Sequence, residues 1–190
     1  NVLDTNINIG SLETQGIDFN VAYSGLELGG FGSLNFTLQA TYLDKLVTFN
    51  GAPSKPFDCA GKFGSNCVST SSGIPAPKLR HQFRIGYQTP WDLDIALTWR
   101  YMSSVSLYDD SPGFTTATRI DRKLAKQNYV DLAGTYAFTD KISMTVGVNN
   151  VLDRDPPLSA SVGTTGNGNT YPQTYVALGR YIFGRLRVGF

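Results

Sequence analysis

Two cysteines, one histidine and a scatter of arginines and aspartates are the residues of this chain with chemical potential. Cys59 and Cys67 lie in the stretch DCAGKFGSNC. Two cysteines so close in a Gly/Ser-rich segment fit a small disulfide loop formed in an oxidising compartment. Closing such a loop is worth roughly 2–3 kcal/mol, mostly by restricting the open chain. A zinc site would need more ligands, and His81 is the only histidine. No CxxC pair occurs, so dithiol redox catalysis is not expected. Catalytic duty for His81 would need a serine and an acid on the same face, and none is evident. Asp109–Asp110 and Asp153/Asp155 each offer two carboxylates, a weak calcium site that turn and capping chemistry explains better. No phosphate loop, metal motif or catalytic triad is present. The expectation is a chain without catalysis or cofactor.

The other charges acquire meaning from their spacing. In residues 79–108, Leu79, Phe83, Ile85 and Tyr87 share one parity, and Arg80, Gln82, Arg84 and Gln88 the other. Beyond Thr89-Pro90-Trp91-Asp92 the alternation resumes. Trp91, Leu93, Ile95, Leu97, Trp99 and Tyr101 oppose Asp92, Asp94, Thr98 and Arg100. Side chains of a strand alternate faces with period two, so this segment predicts a hairpin with one apolar and one charged face. The same pattern predicts strands over 6–24, 33–49, 128–138, 141–150 and 177–190. A turn at Thr14 would split the first in two. Asp131, Arg185 and Arg187 fall on the polar parity of their strands. With Arg80, Arg84, Asp94 and Arg100 they define a charged face that could guide an anionic ligand or simply be solvated. Short reversals at 25–32, 89–92 and 139–141 alternate with long ones at 50–77, 109–126 and 152–174. All long loops therefore lie at one end of the sheet. The basic residues Arg119, Arg122 and Lys123 belong to that end, where they could meet ligand or lipopolysaccharide, or be solvated.

Composition narrows what the apolar face meets. Charged residues make up 16% of the 190, against about 25% in soluble domains. A net charge of +1 gives no field to attract nucleic acid. No apolar run approaches the ~18–20 residues of a membrane helix, but barrel strands need only ~9–11 alternating residues. The strands are long, the opposite face is polar, and no loop supplies an apolar layer to cover the sheet. Trp91 and Tyr101 share a face about one bilayer crossing apart. These features predict an all-β, antiparallel transmembrane barrel segment of about seven strands. A complete small outer-membrane barrel, structural or adhesin-like, would need an eighth strand from a split at Thr14. A soluble β-sandwich binding module is the alternative of another class.

The run GVNNVLDRD within 146–155, the final LGRYIFGRLRVGF and the stretches ETQGIDFNVAYS, LQATYLDKLV and TPWDLDIALTWRY together resemble the barrel of TonB-dependent outer-membrane receptors. The resemblance covers nearly the whole chain. It implies a Gram-negative outer-membrane location and a barrel of about 22 strands filled by an N-terminal plug. It also implies energy drawn from the TonB complex and uptake of a scarce ligand such as iron–siderophore, cobalamin or oligosaccharide. No plug or TonB box occurs here, and seven strands cannot close so wide a barrel. The chain starts without Met, in what reads as the middle of an element, and is expected to be the last third of such a receptor. The implied partners are the plug, the remaining strands, TonB, outer-membrane lipid and the barrel-assembly machinery. That machinery would read the terminal Phe190. The polar parity would line the lumen and touch the plug.

Overall fold

A computed structural model of the chain describes residues 10–49, 55–64, 67, 73–108, 119–160 and 168–189. Two long strands open it, β1 (Ser11–Glu27) and β2 (Ser33–Phe49). The short β3 (Phe57–Asp58) and β4 (Lys62–Phe63) follow. Then come β5 (Leu79–Gln88), β6 (Leu93–Met102), β7 (Val105–Leu107) and β8 (Lys123–Leu124). The chain closes with β9 (Gln127–Thr139), β10 (Ile142–Asn149) and β11 (Tyr181–Val188). Among the described residues the only helical element is the 3-10 turn Gly29–Phe31. No helix is long and apolar enough to cross a membrane.

The long strands pair antiparallel in the order β1-β2-β5-β6-β9-β10-β11, with β3 added to the far end of β2. This up-and-down order follows from the alternating short and long reversals. Two of the short turns use the same device. Thr89 Oγ1 accepts hydrogen bonds from the amides of Trp91 and Leu93, at 3.2 and 3.3 Å. Thr139 Oγ1 accepts from Lys141 and Ile142, at 3.3 and 3.0 Å. A threonine hydroxyl thus satisfies backbone donors that the reversing chain leaves without ladder partners.

Three expectations need correction. β1 is unbroken, and Thr14 pairs with Leu46 instead of turning. Among the described residues no eighth long strand forms: the eighth member of the sheet is the two-residue β3 beside β2, and β1 and β11 stand at opposite edges of the path. The register shifts between Gln15 and Gly16, leaving Asp44 as the extra residue of a bulge on β2. Gly16 is required there, because a Cβ would press to 2.5 Å from the Tyr42 carbonyl oxygen. The strand expected over 177–190 begins only at Tyr181, since Ala177 and Leu178 form a turn followed by Gly179 at φ 68. Phe190 and residues 6–9 lie outside the described residues.

The largest departure concerns the long reversals, which read as structureless loops. β4 and β8, from two of them, form a separate 3-stranded sheet with β7 between them. The hairpin expected to run to Tyr108 breaks at Ser103–Ser104, and β7 leaves the main sheet to join β4 and β8. Around this small sheet lies the apolar core. Phe63, Val105, Leu107, Leu124, Tyr171 and Tyr175 are buried together, with Met102 packed against them. The loops thus pack on one another, whereas the large apolar face of the wall is left open.

Candidate functional site

The ladders fix which residues share a face. Opposite residues of an antiparallel pair point the same way. Arg80 pairs with Met102, Gln82 with Arg100 and Arg84 with Thr98. Thr98 in turn pairs with Asp131, Arg100 with Tyr129 and Asp94 with Thr135. Thr135 opposes Thr145, which opposes Arg185, and Ser143 opposes Arg187. All seven charged residues singled out by parity, Arg80, Arg84, Asp94, Arg100, Asp131, Arg185 and Arg187, therefore share one face.

Two of them form a tight unit. Arg100 Nε and Nη2 donate to the two Asp131 carboxylate oxygens at 2.8 and 2.9 Å. The Asn150 amide donates to Asp131 Oδ1 at 2.8 Å, and the Arg100 guanidinium lies 5.2 Å from the centre of the Tyr129 ring. A bidentate pair braced by a third donor and a ring fixes both side chains. Arg84, Asp94, Thr135, Thr145, Phe183 and Arg185 line a common cleft on the same face. The spacing of Arg185 and Arg187 already places Phe183 among the polar residues. Its ring lies over Gly147, where any Cβ would collide with it.

The opposite face is apolar throughout its middle. Leu97 pairs with Ile85 and Leu132, and Leu132 pairs with Val148. Leu132 is 44% exposed, and Phe19, Val21, Val146 and Leu186 are likewise exposed. Aromatic residues mark its two ends. Trp91, Phe31 and Phe138 stand exposed toward the short turns. His81, Trp99 and Tyr101 cluster toward the long loops, with His81 centred 4.5 Å from Trp99 and 5.3 Å from Tyr101. His81 is thus one ring of an aromatic group.

Beyond that end the loops form a cap. Cys59 and Cys67 are disulfide-bonded, with Cα atoms 5.3 Å apart, and both are buried. Between them Phe63 enters the core edge-on to Tyr171. Asp121 fastens the second loop to the third. Its carboxylate is paired with Arg119 at 2.7 and 2.8 Å, and accepts from Ser159 Oγ at 3.1 Å and the Ala160 amide at 2.8 Å. The hydrogen bonds from Arg119, with those from Ala160 and Ser159, outweigh burial and hold the carboxyl at about 2. Burial pushes the Tyr175 phenol far above its ordinary range. Arg119 is therefore a fastening inside the cap. The NNVLD run is structural too. Asn150, in the left-handed region at φ 53, exchanges two hydrogen bonds with the backbone of Arg154. Asp153, at φ 52, accepts from the Arg180 amide at 2.9 Å and steers the chain into β11. Tyr129, Phe63, Asp121 and Phe183 carried no sequence signal beyond parity or local polarity. Among the described residues no group of three or more metal-ligating side chains converges.

A long-stranded antiparallel sheet with one apolar face, one charged face and aromatic ends is the wall of a membrane barrel. The particular family follows from comparison with known proteins. Residues 1–151 match the family model "TonB dependent receptor-like, beta-barrel", and the chain belongs to that family. Members are outer-membrane transporters of Gram-negative bacteria that work with TonB and a plug domain. Among solved structures, a mutant of the ferric enterobactin receptor PfeA from Pseudomonas aeruginosa superposes with a TM-score of 0.58 at 16% identity, over 93% of this chain and 22% of that one. The ferric-catecholate import receptor Fiu from E. coli K12, in its closed form, gives 0.56 at 14% identity, over 94% and 21%. This chain therefore spans about a fifth of the length of those receptors. No curated protein matches it in sequence.

Proposed function

We propose that this chain is a stretch of wall in a TonB-dependent receptor that takes up a scarce ligand, with an iron–siderophore complex as the first class to test. Cobalamin or an oligosaccharide is the alternative cargo. The carrying observation is the register, which collects seven charged side chains on one face and leaves a continuous apolar face opposite. In this reading Arg80, Arg84, Asp94, Arg100, Asp131, Arg185 and Arg187 line the lumen. Arg100 and Asp131 neutralise one another, whereas Arg84 and Arg185 present two cations against the one carboxylate of Asp94 in a cleft with Phe183. Such a cleft suits an anionic group, whether on the ligand or on the plug. The cap supplies the outer rim where ligand is first met. Phe190 would be the residue read by the barrel-assembly machinery. The ligand class rests on the neighbours, one named a ferric enterobactin receptor and the other a ferric-catecholate import receptor.

A β-sandwich would need a second sheet against the apolar face. Among the described residues the second sheet is the three short strands of the cap, which pack on the loops. Spin labels placed on Ile95, Leu97 and Leu132 in the membrane-embedded protein should contact lipid, and labels on Asp94, Thr98 and Asp131 should not. Protein burial of the first set would end the membrane reading.

A further inference from the structure

Both ends of the third long loop are fastened to one charge pair of the wall. Asp131 holds the first end. Its Oδ1 accepts the Asn150 amide at 2.8 Å, and the Asn150 side chain in turn bonds the amide and the carbonyl of Arg154. Asn150 is fully buried, so no water stands ready to replace these bonds. Arg100 holds the second end. It stands opposite Tyr129 in the ladder, with its guanidinium over that ring, and the buried Tyr129 hydroxyl oxygen accepts the Val176 amide at 3.3 Å. Arg100 and Asp131 are joined to each other by two hydrogen bonds. Asp153 ties the two ends together by accepting the Arg180 amide. Asp121 then extends the hold to the second loop through Ser159 and Ala160.

Arg100 is also open on its other side. Its side chain is 31% exposed, and it borders two cavities of the charged face, one shared with Arg80 and the other with Arg84. Neither Arg80 nor Arg84 forms an ion pair among the described residues. An oxyanion entering either cavity meets two guanidiniums, and Arg100 is the one whose fork is already engaged by a carboxylate. While Asp131 holds the fork, the anion cannot use it; once Asp131 lets go, the whole fork is available. A ligand shifts an equilibrium by its differential affinity for the two states, and here that difference is the Arg100 fork. We propose that the Arg100–Asp131 pair is a latch: an oxyanionic group reaching Arg100 from the lumen draws it off Asp131 and Tyr129 and loosens both ends of the third loop. This rests on the reading of the charged face as lumen wall. The linkage is reciprocal, so the loosened loop raises affinity for the anion by the same factor.

The test uses the intact receptor carrying this wall, in nanodiscs, with saturating inorganic sulfate as the oxyanion and chloride at equal ionic strength as the control. Hydrogen exchange is read at the Arg154 and Val176 amides, which report the two ends of the loop, and at amides of β6 and β9, which report the wall. Loss of charge-assisted bonds of this kind should speed exchange about tenfold, so sulfate should do so at both ends of the native loop while β6 and β9 keep their rates. Asp131→Asn frees Arg100 from the start; it should show the faster exchange in chloride, and sulfate should add nothing. Arg100→Gln should likewise be indifferent to sulfate. No sulfate effect on the native protein would overturn the latch, as would an effect that survives Arg100→Gln or one confined to a single end. A spin label on Leu97 in the same nanodiscs separates the two failures. If Leu97 meets lipid, a negative result condemns the latch alone; if it does not, the wall reading falls and the latch with it.

Discussion

Asp121 holds the cap together through a single carboxylate, and its removal has a computable consequence. The side chain is 2% exposed and receives hydrogen bonds from Arg119, Ser159 and Ala160. Its carboxyl is held at about 2 against an ordinary 3.8. That difference contributes about 2 kcal/mol of cap stability at neutral pH. The sign follows from the depression. The contribution is fully present above 3.8 and fades as pH falls toward about 2. Asp121→Asn keeps the volume and one acceptor but loses the charge, so most of this stabilisation should go. Local opening of the cap should then rise about thirtyfold, since 1.36 kcal/mol is a factor of ten. Hydrogen exchange in the folded protein reads this at the Leu107 amide, bonded to the Arg122 carbonyl, and the Ser159 amide, bonded to Asn169. Amides of β6 and β9 should keep their native rates. Corrected for intrinsic exchange, the native cap should loosen between pH 4 and pH 2, and the variant should show no such step. Unchanged exchange at Leu107 and Ser159 in Asp121→Asn, or equal acceleration across β6 and β9, would refute this account of the clamp.

Two further outcomes follow from the same geometry. Cys59 and Cys67 are 8 residues apart, so C59S/C67S should cost the cap about 2–3 kcal/mol; limited proteolysis should cleave within 55–77 while β5 and β6 stay intact, and an unchanged cleavage rate would argue that Phe63 alone holds the loop. Leu132→Arg, mid-height on the apolar face, should destabilise the membrane-embedded wall by about 2–4 kcal/mol, whereas Gln39→Arg on the charged face should change stability by less than about 1 kcal/mol, as read by denaturant unfolding in lipid.

Parity carried the sequence a long way in the wall and nowhere in the cap. In β5, β6, β9 and β10 each residue has two possible faces, and the alternation of Leu97, Trp99 and Tyr101 with Thr98 and Arg100 states which. The seven charged positions needed no more than this. The cap obeys no period. Phe63 sits in a Gly/Ser-rich run, and β4 and β8 are too short to show alternation. Their pairing joins residues 62 and 63 to 106 and 107, and 105 and 106 to 123 and 124. No local pattern encodes contacts of that separation. Asp121 carries no local signal, because its partners Ser159 and Ala160 lie nearly forty residues on. The start of β11 was misplaced because the turn at Gly179 interrupts an apolar run without breaking its parity.

The location of the core follows from what surrounds each part. A wall strand places one face toward an apolar solvent and the other toward water or polar protein, so its apolar side chains gain nothing from packing on a second protein layer. That is why Phe19, Val21 and Leu132 stay exposed on the sheet. On the proposed reading, water replaces lipid on the outer side past the aromatic group of His81, Trp99 and Tyr101. Apolar side chains there regain the ordinary reason to cluster. The chain changes behaviour at that level: β6 ends at Met102, alternation breaks at Ser103–Ser104, and Val105 and Leu107 turn inward onto Phe63 and Tyr171. On the wall reading proposed above, the boundary between lipid and water falls at the height at which one strand leaves the wall and the buried core begins.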